Sequence, residues 1–329
     1  MAMMTTASGG LTPEYETYYN TQLLLYAKPL VINGQFVQKK PFPKNKGATT
    51  IRFFRPVAPD RAQVGSLTEG IAISTYRDIT YVPIDVTLAQ IGEAVKISDI
   101  VSYTDLFSTL DQSVRVMGED AGVFADFQIA SLLANTTTGV VAANRLYGSR
   151  GANFAGAGVL TILDLLAAYT RLTITKARKP EGREYACVVA AANLYDLMND
   201  AKFIDTGTKR EGNTVEGNSI FDGEVGRWYG NRIMATTEPW TENAAEGTYD
   251  GTIVLASTKY VTNVYGREAV GAPIMAGQSP FSPQIIVNND ADSGNPLKQF
   301  LTAGWKAYWA TVMLNNTWAV TIRAKAGIA

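Results

Sequence analysis

The order of sequence patterns predicts an α+β protein. Three observations support this class: a hairpin-like pair of strands near residues 49–88, an amphipathic pattern over residues 104–134, and alternating strands near the end of the chain. The elements do not follow the regular βαβα series of a doubly wound sheet. With 329 residues, the chain is long enough for one elaborated domain or two modest ones.

The first predicted element is a two-stranded arm. Its first strand covers about Thr49 to Val57. The return strand runs from Tyr81 to Leu88 and alternates apolar positions with polar or turn-forming ones, which is typical of a half-buried strand. Pro83 restricts this strand to the edge of a sheet. Because an isolated two-stranded ribbon is only marginally stable in water, we expect another surface to stabilise it.

Charge is segregated along the chain although the net charge is only −1. The charged residues between 39 and 61 are basic except for Asp60. The charged residues between 69 and 126 are mostly acidic. This pattern predicts two complementary surfaces, and two solvated faces of one fold are the alternative. The basic residues of the arm region are Lys39, Lys40, Lys44, Lys46, Arg52, Arg55 and Arg61.

The second predicted element is a long helix. Apolar residues recur at spacings of three and four over residues 106–132, with Gln128 as the one interruption. Ser102 and Asp105 have the spacing of a capping box. We expect a helix of about Thr104 to Ala134, roughly 45 Å long at 1.5 Å per residue. Three acids lie off its apolar stripe: Asp111, Glu119 and Asp126.

The rest of the chain predicts a mixture of shorter elements. Thr161 and Asp164 begin a helix that ends before Pro180, "REYACVVAA" is a buried strand, and "ANLYDLMND" is a short helix. We interpret "NTVEGNSIFDGEVGRWYGNRIMATTEPW" as a loop followed by one strand, and "GTIVLAS" and "KYVTNVYG" as further strands. Two alternating strands flank Asn315-Asn316, which predicts a terminal hairpin.

The composition argues against common catalytic chemistry. The chain has no histidine, so the usual general base and the commonest metal ligand are missing. Its single cysteine, Cys187, lies in an apolar run and is expected to be a buried small hydrophobe. We therefore predict no catalytic, cofactor-binding or metal-binding residue, and an enzyme is the weakest of the interpretations. Without a secretory signal or membrane-spanning stretch, we expect folding in a cytoplasm.

The arrangement resembles the major capsid proteins of tailed bacteriophages, which have the Hong Kong ninety-seven fold, and within them the branch of the coliphage N-four coat protein. The resemblance covers nearly the whole chain. It depends on "KPFPKNKGATTIRFFRPV", "SLTEGI", "ITYVPIDVTLAQIGEAVKISD", the long helix that follows and "EVGRWYGNRIMATTE", in that order. No single one of these motifs is decisive.

The resemblance implies a subunit with named parts. Residues 1–45 would be an N-terminal arm, 46–95 an extended loop, and 96–160 a peripheral domain with a spine helix at 104–134. Residues 161–295 would form an axial domain, and 296–329 would return to the peripheral domain.

The resemblance also implies a function and partners. The chain would assemble with itself as hexamers and pentamers into an icosahedral shell around double-stranded phage DNA, which it would contact non-specifically. A separate scaffolding protein, a portal protein at one vertex and a cement protein are the other implied partners. Assembly in the host cytoplasm and a place in the virion capsid follow. An encapsulin-like cargo shell of the same fold is the alternative.

The implied interface sets the arm of one subunit against the neighbouring subunit. The residues that we expect there are Arg52, Arg55, Arg61 and Glu69 from the arm, with Asp111, Glu119 and Asp126 from the long helix. Exposed ion pairs contribute only about 0–1 kcal/mol each, so they would guide register and assembly rate more than shell stability.

We predict that reversing the charge at Arg55 and Arg61 blocks assembly and leaves a folded monomer, because the complementary contact with the acidic helix is lost. Electron microscopy of particles and circular dichroism of the subunit are the measurements. Normal shells from the variant would contradict the electrostatic part of this interface.

Overall fold

The computed structural model describes residues 32–42, 49–57, 69–71, 78–104, 109–180, 184–200, 224–228, 230–254, 257–275, 284–288 and 295–327. The helices are α1 (Asp99–Thr104), α2 (Thr109–Ala134), α3 (Ile162–Ile174) and α4 (Ala191–Met198). The strands up to the middle of the chain are β1 (Gln38–Phe42), β2 (Thr50–Pro56), β3 (Tyr81–Thr87), β4 (Ala89–Ser98), β5 (Arg145–Tyr147), β6 (Tyr185–Ala190), β7 (Glu224–Trp228) and β8 (Asn231–Thr236). The later strands are β9 (Thr241–Glu242), β10 (Lys259–Tyr265), β11 (Val270–Met275), β12 (Gln284–Asn288), β13 (Phe300–Trp309), β14 (Val312–Met313) and β15 (Ala319–Lys325).

The largest sheet is mixed and has helices on both faces. Its strand order is β5-β15-β10-β6-β8-β7, and β9 pairs with β10. Leu165 of α3 lies in one hydrophobic cluster with Cys187 of β6, and Ile129 of α2 lies in another with Val188 of the same strand. Because successive strand residues point to opposite faces, the sheet lies between α3 and α2. This explains why all six residues of β6 are buried and mostly apolar.

Helix α2 connects the large sheet to a three-stranded sheet with order β12-β13-β4. Strand β13 pairs with β4 over ten residues. Its alternate side chains, among them Ala303 and Trp305, are buried in the same cluster as Ile129 of α2. The third sheet has the order β1-β11-β14, and the fourth is the two-stranded ribbon β2-β3.

The long helix agrees with the prediction in type and in its last residue. It has 26 described residues, which is about 39 Å. Residues 105–108, which include Asp105 of the predicted capping box, lie outside the described part. Ser102 lies inside α1, so it is not the N-cap of a helix that begins at Thr104. Val114, Met117 and Ala121 are buried as the stripe predicted. Further along, the buried seam moves to Ala125 and Ile129, and the predicted positions Phe124 and Leu132 are only half-buried.

Several shorter elements are confirmed. Helix α3 begins with the predicted capping box, in which the backbone N–H and the hydroxyl of Thr161 both donate to Asp164, at 3.0 and 2.9 Å. The strand that contains Cys187, the short helix α4 after it, and the strand "KYVTNVY" are present where the sequence indicated.

Three predictions of strand structure were wrong. The segment predicted as one strand after the loop forms two antiparallel strands, β7 and β8. Residues 251–254 of "GTIVLAS" form no strand. The terminal strands do not form a hairpin, since β13 pairs with β4 and β12, whereas β15 pairs with β10 and β5. The turn at Asn315 does form, because the Trp318 N–H donates to the Asn315 carbonyl at 3.1 Å. This turn connects β14 of the sheet β1-β11-β14 to β15 of the large sheet.

A buried ionic network joins the last strand to the end of α2. The guanidinium of Arg323 on β15 is fully buried and donates to both carboxylate oxygens of Glu242, at 2.8 and 3.3 Å. It also donates to the carbonyl oxygen of Ala134, the last residue of α2, at 2.9 Å. Arg145 on β5 donates to the carbonyl of Val140 at 3.1 Å. The two arginines satisfy carbonyl groups at and after the helix end that have no partner within the helix.

We predict that Arg323→Met lowers the free energy of unfolding by about 3–5 kcal/mol, because it leaves the Glu242 carboxylate buried without its counter-charge. The indole N–H of Trp240 donates to Glu242 at 3.1 Å. The double variant Arg323→Met/Glu242→Gln recovers part of the loss, since it removes the charge and keeps an acceptor for this N–H. Urea denaturation of the three proteins measures this. A double variant no more stable than Arg323→Met would contradict the charge explanation.

Candidate assembly interface

The ribbon β2-β3 has two chemically different faces. Its register sets Arg52 opposite Asp85 and Phe54 opposite Pro83. Since side chains alternate along a strand, these four residues share one face, which we call the outer face. Phe53, next to Phe54, points to the opposite, inner face.

The inner face packs on the ribbon's own chain. Ile51, Phe53 and Val86 form a small hydrophobic cluster with Leu314, which follows β14. The guanidinium of Arg55 donates to the carbonyl oxygen of Leu314 at 3.1 Å. The ammonium of Lys40 lies 5.5 and 5.8 Å from the ring centres of Phe53 and Phe54, so it contacts both faces of the ribbon. We expected the stabilising surface to be on a neighbouring subunit. The structure shows that the same chain covers one face of the ribbon.

The outer face leaves large apolar side chains in solvent. Phe53 is 4% exposed, whereas Phe54 is 61% exposed. Tyr81 on β3 is also exposed on this face. Ile79 and Val57 are exposed beyond the paired residues, and Val57 has the alternation of the inner face. Contiguous exposed apolar groups on a soluble protein are typical of an interaction site.

Arg52 already has a carboxylate partner in the ribbon. Its Nε and Nη2 donate to the two Asp85 oxygens at 2.6 and 2.8 Å. The hydrogen bond from Arg52 holds the pKa of Asp85 below its ordinary value. The expectation that Arg52 meets an acid of a neighbouring subunit therefore stays a prediction, and any such acid would share the guanidinium with Asp85.

The other expected interface residues lie in different settings. Glu69 is exposed in a turn, and Asp111 is exposed in the first turn of α2. Glu119 is paired with Arg115 one helical turn earlier, at 3.2 Å. Arg61 lies outside the described residues. The interface role of these residues stays a prediction.

Asp126 is a correction to the predicted acidic surface of the helix. It is 2% exposed, and its two oxygens accept hydrogen bonds from the backbone N–H and the side-chain amide of Asn33, at 2.5 and 2.7 Å. The hydroxyl of Tyr265 donates to the Asn33 carbonyl at 3.0 Å. Asp126 therefore holds the segment before β1 on α2 and is not available to a neighbour.

The sequence did contain a signal for this burial. The residues four apart along α2 are Val114, Gly118, Gly122, Asp126, Ala130 and Ala134, and all of them are buried. A row of small residues on a helix indicates close approach of another segment, and an acid in that row is expected to meet polar backbone groups. The apolar stripe predicted from large side chains lies beside this row. The prediction therefore did not count Asp126 among the buried residues.

The three-stranded sheet carries a shallow groove on the face away from α2. Gly92, Gly304 and Ile286 contribute to its lining, and its volume is about 400 Å³. A Cβ atom on Gly92 would lie 2.3 Å from the carbonyl oxygen of Trp305, so glycine is required for the close approach of β4 to β13.

Other chemistry is limited in the described residues. Burial raises the pKa of the Cys187 thiol to about 12, so this thiol is not a nucleophile near neutral pH. Within the described ranges there is no cluster of three side chains suited to hold a metal ion. Of the helices described here, none has the length and apolar content to cross a membrane.

Comparison with known proteins defines the fold. No family model and no curated protein matches the sequence. Solved structures do match: the capsid of Ralstonia phage GP4 has a TM-score of 0.67 at 14% identity, over 88% of this chain and 87% of that one. The capsid of cyanophage Pam1 has a TM-score of 0.63 at 13% identity, over 100% and 95%. The SrpI encapsulin of Synechococcus elongatus PCC 7942 has a TM-score of 0.52 at 12% identity, over 100% and 94%.

These similarities show that the chain has the Hong Kong ninety-seven type of capsid fold. The predicted α+β fold class is confirmed. At these identities the similarity establishes the fold, and it covers most of each chain.

We predict a pH dependence of stability from Asp126. Burial raises its pKa from 3.8 to about 6, against the opposing hydrogen bonds from Asn33. The folded subunit therefore binds a proton more tightly than the unfolded chain does. The resulting stabilisation, about 3 kcal/mol at most, is complete below about pH 4 and is lost as pH rises through 6.

Denaturant unfolding at several pH values between 4.5 and 7.5 measures this, with Asp126→Asn as the matched control that lacks the titrating group. The unfolding free energy of the unchanged protein minus that of Asp126→Asn should increase as pH falls, because only the unchanged protein gains stability from protonation of Asp126. A difference that is constant across this range would show that Asp126 does not titrate there.

Proposed function

We propose that this chain is a major capsid protein that assembles with itself, as hexamers and pentamers, into an icosahedral shell around the double-stranded DNA of a tailed phage. The observation that supports this function best is the ribbon, which is anchored on its inner face and uncovered on its outer face. A monomer has no evident use for such a projecting apolar surface, whereas a shell subunit needs one for its neighbour.

The proposal assigns roles to the parts of the chain. Residues 1–45 are the N-terminal arm, 46–95 the extended loop that contains the ribbon, and 96–160 the start of a peripheral domain whose spine is α2. Residues 161–295 form the axial domain and supply β6 to β10 of the large sheet, and 296–329 return to the peripheral domain through β13. Strands β5 and β15, from the two peripheral segments, complete the large sheet. The N-four coat-protein branch is the relationship that we propose within the fold.

The outer face of the ribbon supplies the contact between subunits in this proposal. Burying Phe54 and Tyr81 against a neighbour would stabilise the contact by about 25 cal/mol for each Å² of apolar surface. Arg61 would set the register against acids such as Asp111 and Glu119, and Glu69 stays an expected interface residue. Arg55 stays one as well, although its guanidinium donates to the Leu314 carbonyl on the inner face of the ribbon. Each contact is weak, and a closed shell repeats it many times, which makes the assembly stable as a whole.

The proposed partners follow from shell assembly. They are a separate scaffolding protein during assembly, a portal protein at one vertex and packaged DNA contacted without sequence recognition, with a cement protein on the shell as an optional partner. The proposed place of the protein is the virion capsid, after assembly in the host cytoplasm. No enzymatic step is part of this function.

A cargo shell is the second candidate. The similarity to the SrpI encapsulin, which covers 100% of this chain, supports the cargo shell as an alternative function. The higher TM-scores of the two phage capsids support the phage role. A cargo shell would enclose a protein carrying a docking peptide, and a phage shell would package DNA.

Expression of the protein alone, and again with its genomic neighbours, followed by negative-stain electron microscopy, tests the proposal. Closed shells or capsomers are the expected result, and nuclease-protected DNA in shells made with the neighbours would support the phage role over the cargo role. A strictly monomeric protein under every condition would overturn both.

We predict opposite outcomes for two adjacent residues of the ribbon. Phe54→Ala should leave subunit stability nearly unchanged and reduce shell formation about tenfold or more, because Phe54 faces solvent in the subunit. Phe53→Ala should lower the unfolding free energy by up to about 3 kcal/mol, because it opens a cavity against Leu314. Thermal unfolding and particle counts measure the two effects. Shells formed as efficiently by Phe54→Ala as by the unchanged protein would contradict the role of the outer face.

A further inference from the structure

Helix α3 has an exposed apolar face that the ribbon interface does not use. Leu163, Leu166 and Ile174 are exposed large apolar residues on the side of the helix away from the sheet. Thr170 and Thr173 lie between them and are also exposed. We call these five residues the α3 face.

The α3 face offers almost no free polar group. The hydroxyl of Thr170 donates to the carbonyl of Leu166 at 2.8 Å, and the hydroxyl of Thr173 donates to the carbonyl of Tyr169 at 2.8 Å. The two threonines therefore have their hydroxyls engaged within the helix. None of the five residues is charged, although the solvent side of a surface helix is normally polar.

A second exposed apolar surface lies in the loop between β9 and β10. Tyr249, Ile253 and Val254 are all exposed there, and we call them the loop face. The Tyr249 ring packs edge-on against Phe127 of α2 at 4.8 Å and lies 5.1 Å from Trp240.

The loop face is held in place by side chains. The Thr252 N–H donates to the Asp250 carboxylate at 2.9 Å, and its carbonyl accepts from the Asn243 amide at 2.6 Å. The Val254 N–H donates to the Thr258 hydroxyl at 2.8 Å. Residues 251–254 are the segment that the sequence predicted as a strand. Backbone groups of Thr252 and Val254 form hydrogen bonds with neighbouring side chains, and the side chains of Ile253 and Val254 are exposed to solvent.

The two faces lie on opposite sides of the large sheet. Helix α3 packs on the face that contains Cys187, and Phe127, which contacts Tyr249, belongs to α2 on the other face. Their charged borders are complementary. Lys176, two residues beyond Ile174, is exposed, and the carboxylate beside the loop face is that of the half-buried Asp250.

We propose that the α3 face of one copy docks on the loop face of the next copy. The inference rests on the proposed self-assembly. Two different, complementary patches on opposite sides of a subunit make a head-to-tail contact, which can close into a ring. Charge favours this occupant, because the head-to-tail contact brings Lys176 of one copy near Asp250 of the next.

Cysteine crosslinking distinguishes this contact from a symmetric one. Ile174→Cys and Ile253→Cys are made as separate proteins, since both positions are exposed, at 73% and 60%. Cys187 is fully buried and gives no background. With a bismaleimide reagent, neither protein alone should form a dimer, and their mixture should form one. Dimers from Ile174→Cys alone, or none from the mixture, would overturn the proposal.

Assembly of charged variants is the second measurement. Ile174→Asp and Ile253→Asp should each reduce rings and shells about tenfold or more, because each places a carboxylate in the docked surface. Leu297→Asp is the matched control, since Leu297 is 76% exposed and lies outside both faces. Circular dichroism checks that all three fold.

The two proposals fail in different ways. Shells from the unchanged protein together with normal assembly of Ile174→Asp and Ile253→Asp would overturn this contact and leave the proposed function standing. A protein that never assembles, while the crosslinked mixture still forms its dimer, would overturn shell formation and leave the contact.

Discussion

The buried pair of Arg323 and Glu242 is the interaction on which the architecture depends. It joins the last strand, the segment after β8 and the end of α2 at one point. A buried charge pair of this kind need not add stability over an apolar replacement, but each partner requires the other. The pair therefore fixes where α2 ends relative to the large sheet. Because α2 also packs against β13, that position also sets where the three-stranded sheet β12-β13-β4 lies relative to the large sheet.

The same helix anchors the start of the described chain. Asp126 accepts hydrogen bonds from Asn33, and the strand that follows Asn33 pairs with β11. Leu314, which follows β14 of the same sheet, packs on the inner face of the ribbon. The ribbon is therefore connected to α2 through the three-stranded sheet β1-β11-β14. A ribbon anchored in this way can project an apolar outer face and still keep a defined direction.

Much of the fold was predictable because its signals are local. The alternation in the return strand, the capping box of Thr161 and Asp164, and the continuous apolar run around Cys187 each predicted the observed element. The candidate site was less predictable. Arg52 was assigned to a neighbour on charge alone, but the register of the ribbon sets it opposite Asp85. Asp126 was assigned to the surface because large apolar residues defined the stripe, whereas the small residues in its own row decide its burial.

The sequence by itself determined the α+β class, the long helix, the ribbon and the lack of histidine chemistry, since periodicity, caps and composition are properties of neighbouring residues. Only the tertiary structure decided which strands pair. The strands on either side of Asn315 joined different sheets because their hydrogen-bonding partners lie far away in the chain. The tertiary structure also decided that Phe53 is covered and Phe54 is not, because Leu314 reaches only one face of the ribbon.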